Sequence, residues 1–520
     1  MLPLDAGGTD ALRSVPRRRR VPLPLTFGAA VAGTAVLLPI FYLVVRATER
    51  GWGPVADTLL RPRMLQLVLR SVGMAAAVTL GSLVVGVGGA WLVTRTDVPG
   101  RRLWRVLLAL PLAVPSYVAA WAWIALRPQL AGPVGAFVVL TSVSFPYVYL
   151  PVAAALRNID PALEDAARSL GRRPLSVLWG VTLRQTRPAA VGGALLVALY
   201  ALSDFGAVSI MRYESLTHAL YRSYRASFDR TPAAVLGCVL VALAVLLLVA
   251  QRRRRGPERV ARVSGGAARV AARIPLGRWR WPAAALLAGV SALSLGVPAW
   301  SLAFWLRRGT STTDWSRLVE ALGTTAWVAA AGAVLTVVVA LPVGILSARY
   351  GGRFAHAVTT AAYASHSLPG IVVALSLVFF GIRFAAPLYQ RTPMLLFAYV
   401  VLFLSLAVAS VHNSVAQAPP RLDEMSRCLG RSPLWTWVHV TMRIAAPGIG
   451  AGTLLVFLTI MKELPATLLL RPIGIDTLAT RLWGYTEGAS YAAAAPFAAA
   501  IVLLAAVPTA LLTGAWMDRR

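Results

Sequence analysis

Two stretches of the chain repeat each other. Residues 161–188 read PALEDAARSLGRRPLSVLWGVTLRQTRP, and residues 420–447 read PRLDEMSRCLGRSPLWTWVHVTMRIAAP. They lie 259 positions apart, and 12 of the 28 aligned residues are identical. The same offset pairs Asp204 with Glu463 and Arg212 with Arg471. A repeat at a constant offset predicts that the chain consists of two structurally related halves.

The chain around these repeats is strongly apolar. Of its 520 residues, 58% are hydrophobic and only 14% are charged. Soluble proteins carry roughly a quarter of charged residues, and a helix needs roughly 20 apolar residues to cross a bilayer. Twelve such segments are centred near residues 34, 81, 115, 143, 197, 241, 291, 334, 370, 402, 457 and 501. We therefore expect an all-α, polytopic membrane protein with these twelve segments as transmembrane helices.

The net charge of +31 reflects an excess of basic residues, and their distribution along the chain indicates how the protein is oriented in a membrane. If the N-terminus is cytoplasmic, most basic residues fall in cytoplasmic segments, namely 1–20, 94–105, 157–187, 251–280, 349–353, 418–447 and the C-terminus. Lysine and arginine in short loops set orientation, whereas acidic residues contribute little. The charge therefore predicts a multi-pass membrane protein with both termini cytoplasmic. The lipid bilayer is its expected surrounding, and nucleic acid is not an expected partner.

The repeat and the spans together predict the domain organisation. Each half has six spans, and an even number places the two halves in the membrane in parallel orientation. We expect a first half over residues 1–250 with a core at about 66–250, and a second half over residues 281–520 with a core at about 320–515. The arginine-rich segment 251–280 between them is expected to be a cytoplasmic linker.

Each repeated stretch predicts a short amphipathic helix in a cytoplasmic loop. Asp160 and Pro161 suit the start of a helix, and Gly171 in the first copy and Gly430 in the second suit a left-handed stop. Apolar residues at helical spacing predict one stripe per helix, formed by Leu163, Ala166, Ala167 and Leu170 and by Leu422, Met425, Ser426 and Leu429. Glu164 and Asp165 would complement the positive helix start. Such helices suit docking into a groove of a soluble partner; the alternative is that they lie on the membrane surface.

The two loop sequences resemble the EAA-x-x-x-G loop of type-1 ABC importer permeases. Asp165 stands where the motif has glutamate, and Met425-Ser426 stand where it has two alanines. In that family this loop is the coupling helix gripped by a cytoplasmic ATPase. The resemblance implies that the ATPase-coupling residues are Glu164, Asp165, Ala166, Ala167, Gly171, Asp423, Glu424, Met425, Ser426 and Gly430. It also implies a type-1 ABC importer permease fold and a location in the inner or plasma membrane.

A finer resemblance concerns the substrate. The stretches LPLAVPSYVAAWAW from Leu110, SDFGAVSIMRYESLTHALYRSY from Ser203 and MKELPATLLLRPIGIDTLATRLW from Met461 are similar to fused ferric iron permeases. This implies import of ferric iron, with a homodimeric ATPase and an extracytoplasmic binding protein as partners. Relatives in the family carry thiamine, phosphonates or polyamines, which are alternative substrates. A twelve-span secondary transporter is the alternative of another class.

The chain itself is not expected to be an enzyme. Its only lysine, Lys462, lies in Met-Lys-Glu rather than in a phosphate-binding Gly-Lys-Ser/Thr motif. ATP and magnesium are therefore expected on the partner ATPase, and no cofactor is expected on this chain. No catalytic cluster is recognisable, and no metal ligand set is firmly assigned.

Charged residues and prolines within the spans mark candidates for the transport pathway. A charge inside a membrane is costly, so Asp204 and Glu463 are expected to face a cavity or a partner. They would either line a cation route or form ion pairs with Arg212, Arg471 or Lys462. Prolines within spans, among them Pro115 and Pro369, release backbone groups that need other partners, as a gate region would provide.

Overall fold

The computed structural model describes residues 21–159, 161–226, 230–254, 273–309, 314–365 and 368–517. Helices make up nearly all of these residues, and within them there is no strand, only one bridge between Thr96 and Ile274. Within these ranges, nine helices are long and apolar enough to cross a membrane: Leu23–Thr48, Pro62–Arg95, Pro133–Arg157, Leu178–Ser203, Thr231–Ala250, Gly277–Arg308, Trp315–Arg349, Thr392–Gln417 and Pro433–Met461.

The described residues contain three further apolar helical segments. Arg101–Ala113 and Ser116–Leu126 form a tenth candidate span that is bent by 95°. Gly370–Phe384 and Tyr491–Ala506 are shorter apolar helices. All twelve segments expected from the sequence therefore lie in helical regions, and the prediction of an all-α polytopic protein is confirmed.

Shorter helices connect the spans. They are Trp52–Leu59, Pro161–Ser169, Gly206–Ile210, Leu216–Ala226, Arg353–Ala364, Pro420–Cys428, Pro465–Leu470 and Leu478–Glu487. We refer to Pro161–Ser169 as the first loop helix and to Pro420–Cys428 as the second loop helix.

The long helices expose large apolar side chains. Phe27 and Phe41 of Leu23–Thr48 are both largely exposed, and so are Leu65 and Leu80 of Pro62–Arg95. A soluble protein rarely presents so much apolar surface. These faces suit contact with lipid, since an all-round apolar helix is typical of a membrane span.

The chain forms two compact units. One contains Met1–Leu37, Val334–His366 and Phe403–Val456, and therefore the second loop helix. In this unit Gly344 allows Trp315–Arg349 to approach Val411 so closely that a Cβ atom would lie 2.5 Å from that side chain. Close helix packing at small residues is typical of membrane proteins.

The other unit contains Leu38–Ala333, Ser367–Leu402 and Phe457–Arg520, and therefore the first loop helix. Glycines again mark its closest helix contacts. A Cβ atom at Gly86 would lie 2.8 Å from Val148, and one at Gly193 would lie 2.6 Å from the carbonyl oxygen of Tyr147. Helices Pro62–Arg95, Pro133–Arg157 and Leu178–Ser203 thus pack directly on one another.

The division of the sequence into halves at residues 251–280 stays a prediction. Residues 255–272 of that linker lie outside the described residues. Its end is attached to the loop that follows Pro62–Arg95. The Ile274 N–H donates to the Arg95 carbonyl at 2.9 Å, and the Leu276 N–H donates to the Asp97 carboxylate at 2.8 Å.

Candidate functional site

Both loop helices end in the same left-handed turn. Gly171 and Gly430 have φ values of 77° and 78°, and a Cβ atom at either would meet nothing within 4 Å. The Arg172 N–H donates to the Ala167 carbonyl at 3.1 Å, and the Arg431 N–H donates to the Ser426 carbonyl at 3.2 Å. These are the bonds of a Schellman motif. The predicted glycine stop is confirmed in both copies.

The predicted apolar stripe does not form a single face in either loop helix. One of its four positions is buried, whereas the other three are exposed. Ala167 and its counterpart Ser426 are buried, on the same side as Glu164 and Asp423. The other stripe positions are exposed in both helices: Leu163, Ala166 and Leu170 in the first, and Leu422, Met425 and Leu429 in the second. Neighbours three and seven residues apart share a helix face. Each loop helix therefore turns an apolar face outward and an acidic residue inward.

Glu164 fastens the first loop helix to a span. Its carboxylate forms a salt bridge with Arg95, the last residue of Pro62–Arg95, and accepts a hydrogen bond from the Thr182 hydroxyl at 2.8 Å. Both charged side chains are buried, with 4% of Arg95 and 3% of Glu164 exposed. Complementing the helix start is therefore not the main role of this carboxylate, since its partner is an arginine 69 positions away.

Asp423 makes the equivalent contacts in the second copy. It accepts a hydrogen bond from the Thr441 hydroxyl at 2.6 Å, and Arg349, the last residue of Trp315–Arg349, lies 3.7 Å away. The arginine also donates to the Ala418 carbonyl at 2.8 Å. Aspartate is one methylene shorter than glutamate, which accounts for the longer ion pair. We call each arginine–carboxylate–threonine set a carboxylate clamp.

The other acidic residues of the loops face outward. Asp165 is 69% exposed and pairs with Arg168 at 3.1 Å within the same helix. Glu424 is exposed at the equivalent position, next to the exposed Met425. These two acids, unlike those of the clamps, lie where a partner could contact them.

Asp204 is buried and caps a short helix. Its Oδ1 accepts hydrogen bonds from the N–H groups of Ala207 and Val208 at 2.9 and 3.3 Å, at the start of Gly206–Ile210. Its Oδ2 accepts from the Ser116 hydroxyl at 2.5 Å. A carboxylate satisfies the free N–H groups of a helix start. Asp204 thereby joins Gly206–Ile210 to the start of Ser116–Leu126.

Glu463 has the same role at the equivalent position. It accepts from the N–H groups of Ala466 and Thr467 at 2.9 and 3.0 Å, at the start of Pro465–Leu470. A Cβ atom at Gly370 would lie 2.9 Å from its Oε1. Gly370 starts Gly370–Phe384 directly after Pro369, as Ser116 follows Pro115. The longer acid thus faces glycine, and the shorter acid faces serine.

Asp204 and Glu463 cap helices and do not form the ion pairs that were considered for them. Among the described residues, neither Asp204 nor Glu463 has a basic group within 4 Å. Arg471 instead forms a salt bridge with Asp476, which Arg481 also contacts at 2.7 Å. Lys462 lies 3.5 Å from the Leu112 carbonyl. Whether the two acids line a transport route stays a prediction.

Each of the two pathway prolines lies directly before a helix. Pro115 and Pro369 have extended ψ values of 145° and 132° and immediately precede Ser116–Leu126 and Gly370–Phe384. A proline at this position loses no helical hydrogen bond, because the first N–H groups of a helix are free in any case. Pro115 therefore marks where the second part of the bent candidate span begins, and Pro369 marks where Gly370–Phe384 begins.

The arginines and threonines of the clamps are not among the site residues predicted from the sequence. Thr182 and Thr441 are identical residues of the repeat, which was the available signal. Arg95 and Arg349 lie outside the repeat, each at the end of a long apolar segment. In the part of the chain that the structure describes, no group of three histidine, cysteine or acidic residues is placed to hold a metal ion.

The chain matches a family model in two ranges and is similar to a known permease over nearly its full length. The family model described as binding-protein-dependent transport system inner membrane component matches residues 82–253 and 340–519. The chain is 35% identical to the Fe(3+)-transport system permease protein FbpB 2 of Haemophilus influenzae over 95% of its length and 98% of that protein.

More distant relatives match one half. The chain is 28% identical to the sulfate transport system permease protein CysW of Escherichia coli, over 45% of the chain and 88% of that protein. It is 26% identical to a probable sulfate transport system permease protein of Marchantia polymorpha, over 34% of the chain and 68% of that protein. Two matches to one family model and full-length similarity to a permease lead to one conclusion: the chain belongs to the family of binding-protein-dependent transport system inner membrane components.

Proposed function

We propose that this chain is the permease of an ABC importer for ferric iron. The observation that carries the proposal is the similarity to an Fe(3+)-transport permease, which covers 95% of the chain at 35% identity. The sulfate permeases that match cover less than half of the chain at 26–28% identity. Thiamine, phosphonates and polyamines remain alternative substrates. Iron is the transported substrate here, so the chain needs no resident metal, and no cofactor is expected on it.

The two loop helices support a cytoplasmic ATPase dimer as the energy source. Each exposes an apolar face, with Leu170 81% and Leu429 80% exposed. Leucines this exposed in a loop suit insertion into a groove of a partner. Two similar helices in one chain suit two identical ATPase subunits. ATP and magnesium would be bound by those subunits, and both termini of the permease would be cytoplasmic.

The carboxylate clamps would transmit movement of the loop helices to the membrane spans. Each clamp joins a loop helix to the last residue of a long span, through Arg95 in one copy and Arg349 in the other. A buried ion pair resists separation, since removing one partner leaves a buried charge. Movement of a loop helix by the ATPase would therefore displace the attached span. An extracytoplasmic binding protein would deliver iron at the opposite ends of the spans.

Uptake of radiolabelled ferric iron tests the proposal. Iron-starved cells that lack this chain would be complemented with the wild-type chain, with the L170D/L429D variant, or with the control L60D. All three leucines are at least 80% exposed and lie outside the candidate spans, so these changes should not unfold the protein. We expect uptake with the wild type and L60D and loss of uptake with L170D/L429D. Equal uptake in cells with and without the chain would refute iron as the substrate. Full uptake with L170D/L429D would refute docking through the loop helices.

A further inference from the structure

A cavity lies at the far end of the span that begins beside the first loop helix. Leu178–Ser203 has 26 residues and is therefore about 39 Å long, and the cavity follows its end. Its volume is about 390 Å³, and its polar lining includes Arg212, His218, Arg222, Arg225 and Glu487. Trp483 and Tyr221 form its aromatic wall. A second cavity of about 670 Å³ shares Arg212 and Arg222 and adds Arg70 and Glu214.

The lining of the two cavities carries an excess of positive charge. Four arginines and one histidine line them, against the two carboxylates Glu214 and Glu487. Glu214 is shared by three arginines, with Arg63 at 2.5 Å, Arg70 at 3.1 Å and Arg222 at 3.7 Å. Partial burial acts to raise the pKa of Glu214, but these arginines outweigh it and lower the pKa. The carboxylate of Glu214 is therefore ionised, and its oxygens are already paired with arginines.

Arg212 occupies a backbone position that favours glycine. Its φ is 53°, and the Tyr213 N–H donates to the Val208 carbonyl at 2.8 Å, which closes a Schellman motif around it. A left-handed residue with a side chain is strained, and such strain is found at functional sites. In the described parts of the chain, no carboxylate lies within ion-pair distance of Arg212. Its side chain is exposed at the cavity, where it can meet a ligand.

Arginines are unexpected at this end of the spans. Lysine and arginine are enriched in cytoplasmic loops, and this end is opposite to the first loop helix. A lining of this charge repels a bare metal cation and attracts anions. Guanidinium groups bind carboxylate and phosphate oxygens with two parallel hydrogen bonds.

We propose that this arginine-lined cavity binds a small oxyanion, phosphate or a polycarboxylate. An anion with several oxygens can satisfy the arginines on one side and a hard cation on the other. That such a cation is ferric iron rests on the proposed function. Binding of the anion does not, because it can be measured on the purified chain alone.

Binding of inorganic phosphate and of citrate to the full chain tests the proposal. The chain would be placed in nanodiscs of zwitterionic lipid, and binding of each radiolabelled anion would be measured by equilibrium dialysis. The variants are R212G, which suits the left-handed backbone, and R222Q. R317Q is the matched control, because Arg317 is an exposed arginine paired with Asp314 outside the cavity. We expect saturable binding of at least one anion, weakened about tenfold or more in each cavity variant, and unchanged in R317Q.

Three results would overturn the proposal. One is the absence of saturable binding of either anion by the wild type. Another is equal binding by the wild type and the R212G/R222Q variant. The third is retention of anionic lipid, seen by native mass spectrometry, that is lost in that variant and excludes phosphate, because the occupant would then be a lipid headgroup. None of these results depends on iron uptake, so failure here leaves the proposed function standing.

Discussion

The carboxylate of Glu164 is withdrawn from solvent by Arg95 and Thr182. Burying two charges is costly, and the cost is offset only while both partners are present. We expect the variant E164Q to lose about 3–5 kcal/mol of stability, because the Arg95 charge stays buried without its partner. The measurement is the apparent melting temperature of the purified protein together with ATP-dependent uptake, and both should fall.

Asp165 provides the matched control for this change. It neighbours Glu164 but is 69% exposed, so D165N should leave the melting temperature unchanged. The double variant R95M/E164Q removes both charges and should recover stability relative to E164Q. A melting temperature of E164Q equal to that of the wild type would show that the clamp does not stabilise the loop helix.

The helix caps formed by Asp204 and Glu463 differ in how volume is divided between the acid and the residue it faces. Asp204 faces Ser116, whereas Glu463 faces Gly370. We expect D204E to overpack its site and cost about 1–3 kcal/mol. Adding S116G should restore stability, because it reproduces the combination of the second copy. Thermal stability by fluorescence-detected size exclusion would report both effects. If S116G gives no recovery in the D204E background, the two copies do not share this packing.

Local features of these elements could be predicted from the sequence, and distant contacts could not. The glycine stops at Gly171 and Gly430 follow from backbone freedom, which a single residue determines. The inward turn of Glu164 depends on Arg95, 69 positions away, and no periodicity within the helix reveals it. For Asp204 a local signal existed, since an acid shortly before an apolar helix suits a cap. Because a charge inside a membrane is costly, the sequence instead predicted pathway or ion-pair roles for Asp204 and Glu463.

For the whole molecule, the orientation in the membrane can be tested with its own cysteines. Cys428 lies on the second loop helix and is exposed, whereas Cys238 is partly buried in Thr231–Ala250. We expect a membrane-impermeant maleimide to label Cys428 in inside-out vesicles freed of the ATPase, and not in intact spheroplasts. The variant C428S controls for Cys238. Labelling of Cys428 in intact spheroplasts would place the loop helices outside and contradict the proposed orientation.

The energy source of transport tests the central claim most directly. Ferric iron uptake would be measured in cells depleted of ATP with the membrane potential maintained, and in cells with the potential collapsed while ATP is kept. An ABC importer permease predicts that uptake stops in the first case and persists in the second. Uptake that persists without ATP and stops when the potential collapses would contradict the account and favour a secondary transporter.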